Sequence, residues 1–282
     1  MTIGELLAWA RHRLGEGSDA AIEARILMSH VSGFSHAQLL IREDSRLPPE
    51  QSLQFQELVH RRAQGEPVAY LIGQREFWRL NLAVSPDTLI PRSDTEILVE
   101  AALEKVPADH PCRVLDLGTG TGAIALSLAL ERPAWEVIAT DLQPNALQLA
   151  RQNALAHGLN QLRFIEGHWF DPIKTLNLEP FDLIVSNPPY IAENDPHLTQ
   201  GDLRYEPTVA LVSGPDGLDA IREIVAQAPA YLVDGGWLIL EHGYDQGEAV
   251  RALLCAAGLR DIETRRDLGG QERISLGRRP TG

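Results

Sequence analysis

One short segment, Asn187-Pro188-Pro189-Tyr190, carries groups that suit the binding of a planar nitrogen group. The apolar run before it, residues 181–186, is typical of a buried strand, and two consecutive prolines cannot continue such a strand. The backbone carbonyls of Asn187 and Pro188 are thus held rigidly. The Asn187 side-chain oxygen and the Pro188 carbonyl can accept both N–H groups of an amide or an aromatic amine. Tyr190 supplies a ring that can stack on the planar group. A segment of this kind on its own could also be a purely structural loop.

The chemistry that such binding favours is the alkylation of a weakly nucleophilic nitrogen. The lone pair of an amide nitrogen is delocalised into the carbonyl group, as it is in the peptide bond. Hydrogen bonds to both hydrogens fix the nitrogen and favour electron density on it while a methyl group approaches in line, and such positioning lowers the barrier substantially. A sulfonium donor brings its own driving force, because its leaving group is a neutral thioether, so the reaction requires no metal.

A second segment with chemical potential is the glycine-rich turn Gly-Thr-Gly-Thr-Gly at residues 118–122. It follows a short buried strand over 113–117 and precedes a helix over 123–131. Glycines permit a tight turn and let a ligand approach the backbone, and a helix start offers unpaired N–H groups. The turn therefore predicts a nucleoside cofactor at the carboxyl end of a strand, although dinucleotide dehydrogenases share this pattern.

Two carboxylates accompany the turn. Asp141 ends the next strand, 19 residues after Gly122, where it can accept hydrogen bonds from both hydroxyls of a ribose. That arrangement fits NAD, FAD and S-adenosylmethionine equally well. Asp116 precedes the first glycine by two residues, in a place where it could face a cationic amino acid group, which favours S-adenosylmethionine. The simpler alternative gives both carboxylates only turn or capping roles.

The part of the chain before these segments contains two stretches in which apolar residues recur with different periods. Residues 1–73 show the 3, 4, 7 spacing of amphipathic helices, which predicts a small helical bundle for packing or substrate docking. Residues 74–90 are predicted to form a β-hairpin linker. Its outgoing strand is expected over 78–84 and its return strand over 88–90.

Residues 91–282 alternate strands with helices, which predicts a parallel sheet with helices on both faces. The fold class is therefore α/β, with a Rossmann-like sheet preceded by the helical bundle and the hairpin. Two final strands are expected over 262–266 and 273–276. The tripeptide Gly269-Gly270-Gln271 lies between them and is interpreted as their turn.

The amino-acid composition limits which binding partners and which cellular location are expected. The chain has 39 acidic and 25 basic residues and a net charge of −14, which argues against duplex nucleic acid and favours a small-molecule or protein substrate. Cys112 and Cys255 are interpreted as small buried side chains in a reducing compartment. The longest nearly apolar stretch, residues 122–130, is too short for a bilayer, so a cytoplasmic protein is expected. The nine histidines show no convincing metal-ligand spacing.

These motifs together resemble the bacterial release factor glutamine methyltransferases, which are protein-(glutamine-N5) methyltransferases, over almost the full chain. The resemblance rests on EPVAYLIG at 66–73, LIPRSDTE at 89–96, the glycine-rich turn, the Asn-Pro-Pro-Tyr segment and the stretch 205–218. Two positions depart from the family pattern. Ser93 stands where the family usually has proline, and His168 stands where it often has an acidic residue.

The resemblance implies an enzyme that uses S-adenosylmethionine, releases S-adenosyl-L-homocysteine and methylates the glutamine of the GGQ motif in class I peptide chain release factors. It implies a class I methyltransferase domain over 91–282, preceded by a docking domain over 1–73. We expect a monomer, with no duplex nucleic acid and no membrane as partner. The implied cofactor-binding residues are Gly118, Thr119, Gly120, Thr121, Gly122, Asp141, Trp169 and Asn187. The implied substrate-binding residues are Asn187, Pro188, Pro189 and Tyr190, with catalysis assigned to Asn187, Pro188 and Tyr190.

Other interpretations stay open at this point. An adenine-N6 methyltransferase of DNA or RNA uses the same segment, because an exocyclic amine also has two donors, but it must flip a base and hold phosphates. A cofactor sensor and a Rossmann dehydrogenase are two more, and neither explains residues 187–190. Trp169 could be a core aromatic, and Arg92 and Glu96 could form a charge pair at a helix start.

Overall fold

The computed structural model describes residues 1–15 and 18–282, which form two compact units. The first unit comprises Met1–Gln74 together with Thr199–Tyr205, and the second comprises Arg75–Leu198 together with Glu206–Gly282. Both the glycine-rich turn and the Asn-Pro-Pro-Tyr segment fall in the second unit. Within the described residues, no helix combines the length and the apolar character that a membrane crossing requires.

The first unit is a small bundle of helices, as the sequence predicts. Its α-helices are α1 (Ile3–Leu14), α2 (Ser18–Ser32), α3 (His36–Ile41), α4 (Pro49–Ala63) and α5 (Val68–Ile72). A capping box starts α1, because the Thr2 hydroxyl accepts from the Glu5 amide and the Glu5 carboxylate accepts from the Thr2 amide. Gly73 ends α5 in the left-handed conformation, with φ of 73°. The docking role of this unit stays a prediction.

The second unit contains a hairpin and a central sheet. The strands are β1 (Gln74–Phe77), β2 (Leu80–Ala83), β3 (Arg113–Leu117), β4 (Glu136–Asp141), β5 (Arg163–Glu166), β6 (Phe181–Ser186), β7 (Leu232–Glu241), β8 (Arg260–Arg266) and β9 (Glu272–Arg278). The α-helices are α6 (Glu96–Lys105), α7 (Ala123–Glu131), α8 (Pro144–Ala156), α9 (Asp171–Thr175), α10 (Asp219–Tyr231) and α11 (Gly247–Ala256). Short 3₁₀ turns occur in this unit at Ser93–Thr95 and Thr208–Ala210, whereas Leu203–Tyr205 belongs to the first unit and Pro196–Thr199 crosses the boundary between the two.

Over residues 75–198 and 206–282, the central sheet has seven strands in the order β5-β4-β3-β6-β7-β9-β8. The first five are parallel to one another, and the direction in which successive strands are added reverses between β3 and β6. The predicted parallel sheet is thus confirmed for these strands. The final hairpin adds antiparallel strands, with β9 between β7 and β8, and its turn runs from Asp267 to Gln271.

The hairpin before this sheet differs from the predicted one. Its strands are shorter, and its turn lies at Trp78, which adopts a left-handed φ of 56°. The alternation from Trp78 to Val84 therefore spans a tight turn and one strand. The expected return strand over 88–90 is wrong, because the Ile90 amide donates to the Glu206 carboxylate (2.9 Å) instead of to a neighbouring strand.

The two cysteines lie in different environments. Cys112 is buried, as expected, and burial raises the pKa of its thiol to about 12. Cys255 is exposed, so the expectation that it is buried is wrong. On α11, Val250 and Leu254 face the core at a spacing of four residues, and position 255 is rotated away from that face.

The Asn153 side chain on α8 connects the hairpin to the glycine-rich turn. Its oxygen accepts from the Ala83 amide (2.8 Å), and its nitrogen donates to the carbonyls of Ala83 (3.0 Å) and Thr121 (2.9 Å). The residue is 2% exposed, so these bonds satisfy groups that are shielded from water. Asn153 therefore extends the pairing of β2 and holds the turn in place.

We expect Asn153→Ala to lower the free energy of unfolding by about 2–4 kcal/mol, because buried backbone groups lose their partners. Urea denaturation followed by circular dichroism measures the change. Gln152→Ala, at an exposed position on the same helix, is the control and should change stability by less than about 0.5 kcal/mol. Equal losses in the two variants would contradict this role for Asn153.

Candidate active site

A cavity of about 390 Å³ lies at the carboxyl ends of β3, β4 and β6, where the strand order reverses. This is the edge at which open α/β sheets bind their ligands. Of the residues predicted from sequence, the cavity wall contains Gly118, Thr119, Gly120, Thr121, Asp141, Trp169, Asn187 and Pro189. Gly122, Pro188 and Tyr190 are described by the structure but lie outside that wall.

The glycine-rich turn is held by the end of β4. The amides of Gly118 and Thr119 both donate to the Thr140 carbonyl at 2.9 Å. Gly118 has a φ of 71°, and a Cβ atom there would lie 3.2 Å from the ring of Trp169. The glycine is therefore needed both for its conformation and for its close approach to the aromatic wall.

The Asp141 carboxylate is half-buried at the cavity wall and is oriented by backbone amides. One oxygen accepts from the Gly120 amide and the other from the Gln143 amide, each at 2.8 Å. Burial raises the pKa of Asp141, and these hydrogen bonds act in the opposite direction. Each carboxylate oxygen keeps further acceptor capacity, so Asp141 can still receive hydroxyl donors from the cavity.

Asp116 does not occupy the place that the sequence suggests. Its side chain is fully buried beneath the turn, outside the cavity wall, and one of its oxygens accepts from the Thr119 hydroxyl at 2.7 Å. Burial raises the pKa of Asp116 to about 7. The expectation that Asp116 faces a cationic ligand group is therefore wrong in this structure, because the side chain points into the protein and supports the turn.

Trp169 lies partly in the core and partly at the cavity wall, and its role as a cofactor-binding residue stays a prediction. Its ring packs against the hydrophobic cluster around Phe170 and also lines the cavity. Its φ of 41° is left-handed, a conformation that nonglycine residues rarely adopt. His168, which replaces the family's acidic residue, lies with Nδ1 3.3 Å from Oε1 of Glu223, and both residues line the cavity. A carboxylate from α10 is thus present beside His168 at the cavity wall.

The Asn-Pro-Pro-Tyr segment leaves the sheet where β6 ends beside β3. The Ser186 hydroxyl donates to the Leu117 carbonyl at 2.7 Å, which closes this end of the strand pair. The Asn187 amide nitrogen then donates to the Thr95 hydroxyl oxygen at 3.2 Å. Gln246 donates to the Tyr190 carbonyl at 3.0 Å and holds the far end of the segment. The corner is therefore fixed from both sides.

The Tyr190 ring lies behind the cavity wall. Its hydroxyl donates to the Glu241 carboxylate at 3.1 Å, and burial raises the pKa of the tyrosine. The stacking of this ring on a planar substrate stays a prediction, as does the acceptor role of the Pro188 carbonyl. The structure gives Tyr190 a partner that the sequence does not indicate.

The folded chain brings further residues to the cavity: Arg92, which the sequence left open between a helix-start charge pair and a site residue, and Thr95, which the sequence analysis did not single out. Arg92 forms an ion pair with the fully buried carboxylate of Glu206, while Glu96 accepts from the Trp78 amide. Arg92 and Glu96 thus have separate partners. Thr95 also lines the cavity. The segments 89–96 and 205–218 contain Arg92, Thr95 and Glu206, but their spacing does not reveal that they meet.

The fold and this site define a Rossmann-like methyltransferase. The family model described as a methyltransferase domain matches residues 108–249, and the model described as the PrmC N-terminal domain matches residues 5–73. A methyltransferase structure from Pyrococcus furiosus has a TM-score of 0.54 at 17% identity and covers 78% of this chain and 97% of that one. The structure of the T. thermophilus 16S rRNA N2 G1207 methyltransferase has a TM-score of 0.52 at 19% identity. The match covers 73% of this chain and 49% of that one. These likenesses concern the fold.

The chain belongs to the release factor glutamine methyltransferase family. Proteins of that name are 52% identical in Xylella fastidiosa strain Temecula1, covering 98% of this chain and 97% of the relative, and 51% identical in Escherichia coli K12, covering 91% of each. The relative in Pseudomonas aeruginosa is 50% identical, and the match covers 94% of this chain and 95% of the relative. The predicted family, fold class and enzyme class are confirmed.

The close packing of Gly217 against the Tyr190 carbonyl can be tested by mutation. Gly217 has a φ of 76°, and a Cβ atom there would lie 2.2 Å from the Tyr190 carbonyl oxygen, which cannot move without shifting the backbone. We expect Gly217→Ala to lower the free energy of unfolding by about 2–4 kcal/mol. Thermal unfolding measured by calorimetry reports the loss.

Gly158→Ala is the matched control, because Gly158 has a φ of 71° and no atom within 4 Å of the added Cβ. It should cost only the backbone strain, about 1 kcal/mol. If Gly217→Ala were no more destabilising than Gly158→Ala, the proposed contact at the corner would be refuted.

Proposed function

We propose that this protein transfers a methyl group from S-adenosylmethionine to the side-chain amide nitrogen, N5, of the glutamine in the GGQ motif of class I peptide chain release factors. One observation carries the proposal: Asn187 shares a single cavity with the glycine-rich turn and with Asp141. The residues that we assign to an amide and those that we assign to a nucleoside thus lie at the same edge of the sheet. Relatives about half identical over nearly the whole chain, named release factor glutamine methyltransferases, support the choice of acceptor.

The cavity suits the proposed cofactor. Residues 118–122 bring the backbone to the cavity with no intervening side chain at Gly118, and the Trp169 ring gives a flat wall for an adenine. Asp141 has acceptor capacity for the ribose hydroxyls. When bound, S-adenosylmethionine supplies an activated methyl group on a sulfonium centre. We assign Asn187 to the place where cofactor and substrate meet.

Charges around the cavity favour a cationic ligand. Its wall includes the carboxylates of Asp87, Asp141, Asp219 and Glu223, against one guanidinium, that of Arg92, which Glu206 neutralises. A concave site with a surplus of one charge raises the local concentration of ligands of the opposite charge. A sulfonium cation gains from this surplus, whereas the phosphates of a nucleic acid do not.

The protein groups at the corner then act on the acceptor. The Asn187 oxygen and the Pro188 carbonyl accept the two N–H donors of the glutamine amide and fix its nitrogen. In the reaction the glutamine nitrogen would exchange one N–H bond for an N–C bond, and the released proton would pass to water. The prolines keep the acceptors rigid, so that little reorganisation is needed in the transition state.

The remaining assignments concern partners and location. We assign residues 1–73 to docking of the release factor, residues 74–90 to a linker and residues 91–282 to catalysis. A net charge of −14 suits a basic protein substrate. We further propose that the enzyme is monomeric and cytoplasmic, and that it uses no metal, membrane or duplex nucleic acid.

Methyl-labelled S-adenosylmethionine provides the direct test. We expect label on a purified class I release factor, no label on a release factor whose GGQ glutamine is changed to Ala, and no label on oligonucleotides. Mass spectrometry should locate one added methyl group on that glutamine. Label on DNA or RNA in place of the release factor would show that the acceptor is an adenine amine and that the proposal is wrong.

Asn187→Ala tests the residue that holds the amide. We expect kcat to fall by about 100-fold, because removing one preorganised hydrogen-bonding group from a site costs on that order. The affinity for S-adenosylhomocysteine, measured by calorimetry, should stay within about threefold, since the turn and Asp141 are unchanged. Asn160→Ala, at an exposed asparagine, is the control. Unchanged turnover in Asn187→Ala would remove Asn187 from its assigned role.

A further inference from the structure

An ion pair at the cavity wall places a guanidinium whose charge is compensated close to the Asn-Pro-Pro-Tyr corner. Arg92 lines the cavity and its side chain is 32% exposed, whereas the side chain of its partner, Glu206, is fully buried. One oxygen of the Glu206 carboxylate accepts from Arg92, and the other accepts from the Ile90 amide at 2.9 Å. Glu206 therefore holds the guanidinium from the protein side and also fixes the backbone that leads to it.

The 3₁₀ turn at Ser93–Thr95 connects Arg92 to that corner. The Thr95 amide donates to the Arg92 carbonyl at 3.1 Å, and the Thr95 hydroxyl oxygen accepts from the Asn187 side-chain nitrogen at 3.2 Å. Arg92, Thr95 and Asn187 all line the same cavity. The guanidinium thus belongs to the half of the cavity that we assign to the acceptor amide.

A glutamine amide brings a hydrogen-bond acceptor, as well as two donors, to this half of the cavity. The partners proposed for its nitrogen, the Asn187 oxygen and the Pro188 carbonyl, give its own carbonyl oxygen no donor. An acceptor that is removed from water without a hydrogen bond costs free energy. The negative charge that develops as the nitrogen loses its proton is also shared with this oxygen through amide resonance. The site therefore needs an N–H or O–H group that faces the oxygen.

The Arg92 guanidinium meets this need without adding a net charge. It has five N–H donors in a planar fork, and the contact with Glu206 is made by one nitrogen, Nη2. An uncompensated cation would repel the sulfonium that we propose for the same cavity, because like charges repel strongly where water is scarce. Glu206 cancels this charge, and the fork keeps N–H groups for a ligand.

We propose that Arg92 is a substrate-binding residue that donates a hydrogen bond to the side-chain carbonyl oxygen of the acceptor glutamine, and that Glu206 is the positioning residue that orients Arg92 and compensates its charge. The inference rests on the proposed function, because it takes the acceptor to be a carboxamide and the methyl donor to be a sulfonium cation.

Arg92→Lys tests the fork. Lysine keeps the positive charge opposite Glu206, but it replaces the planar set of donors with one flexible ammonium group. We expect kcat/KM for the release factor to fall by about 10- to 100-fold, in line with the loss of a hydrogen bond to a charged group. The affinity for S-adenosylhomocysteine, measured by calorimetry, should stay within about twofold. Arg79→Lys, at an exposed arginine that pairs with Glu131 outside the cavity wall, is the control and should match the wild type.

Glu206→Gln tests the compensation of charge. Glutamine keeps the shape of the side chain and can still accept from the Ile90 amide, but it leaves the guanidinium charge without a counterion. We expect the binding of cationic S-adenosylmethionine to weaken on the order of tenfold more than the binding of S-adenosylhomocysteine, whose thioether is neutral. Calorimetry with both ligands gives this ratio. A general disturbance of the cavity would weaken both to the same extent, so the ratio reports the charge.

The double variant Arg92→Met with Glu206→Gln keeps the proposal testable if a single variant folds poorly, because it removes both charges together and leaves no buried ion unpaired. We expect its ratio of the two affinities to return to within about twofold of the wild-type ratio, while kcat/KM for the release factor stays reduced. Glu136→Gln, at an exposed carboxylate outside the cavity wall, is the control for the charge change. Thermal unfolding of each variant shows whether it is folded.

The outcomes distinguish this inference from the proposed function. A wild-type enzyme that transfers no methyl group to the release factor would refute the proposed function. If the wild-type enzyme does so and Arg92→Lys keeps the wild-type kcat/KM, Arg92 does not bind the acceptor. An unchanged ratio of the two affinities in Glu206→Gln would overturn the role of Glu206. A ratio that stays altered in the double variant would show that charge is not the cause, and would overturn it as well.

Discussion

The pairing of the last residues of β3 and β6 is the contact on which the site depends. Leu117 and Ser186 lie opposite each other in the parallel register, and the Ser186 hydroxyl closes the pair on the Leu117 carbonyl. The chain leaves both strands at the same level, so Gly118 and Asn187 begin at adjacent points of one edge. A shift in the register of β3 and β6 would separate the nucleoside side of the cavity from the amide side.

Local patterns predicted the elements that carry this edge, whereas tertiary contacts set the rest. Helix α7 has the predicted bounds, because an apolar run with a glycine before it has few alternatives. The predicted bounds of the hairpin were wrong, because the alternation of apolar and polar residues continues through the tight turn at Trp78 and so does not reveal it. Asp141 and Asn187 lie at the predicted edge, since strand ends locate them. The partnerships of Glu206, Thr95 and Glu241 link distant parts of the chain, and no spacing rule connects them.

Buried carboxylates support both halves of the cavity in a similar way. Asp116 lies beneath the glycine-rich turn and accepts from the Thr119 hydroxyl, and Glu241 lies behind the proline corner and accepts from the Tyr190 hydroxyl. Burial raises the pKa of both to about 7. Ionising a buried carboxylate costs free energy, so the hydroxyl groups that donate to it are held firmly in place. Each hydroxyl has a single proton, and this fixes the direction of its hydrogen bond. Buried groups directly behind the cavity wall therefore hold the residues that line the cavity in place.

The position of β9 between β7 and β8 has a consequence for synthesis on the ribosome. β7 carries Glu241, yet one of its edges is paired by the last strand of the chain. Until that strand emerges, the nascent protein exposes an unpaired, largely apolar strand edge, which is a template for aggregation. Folding of the sheet is therefore completed only after translation has passed residue 278, and a chaperone that shields this edge would act during that interval.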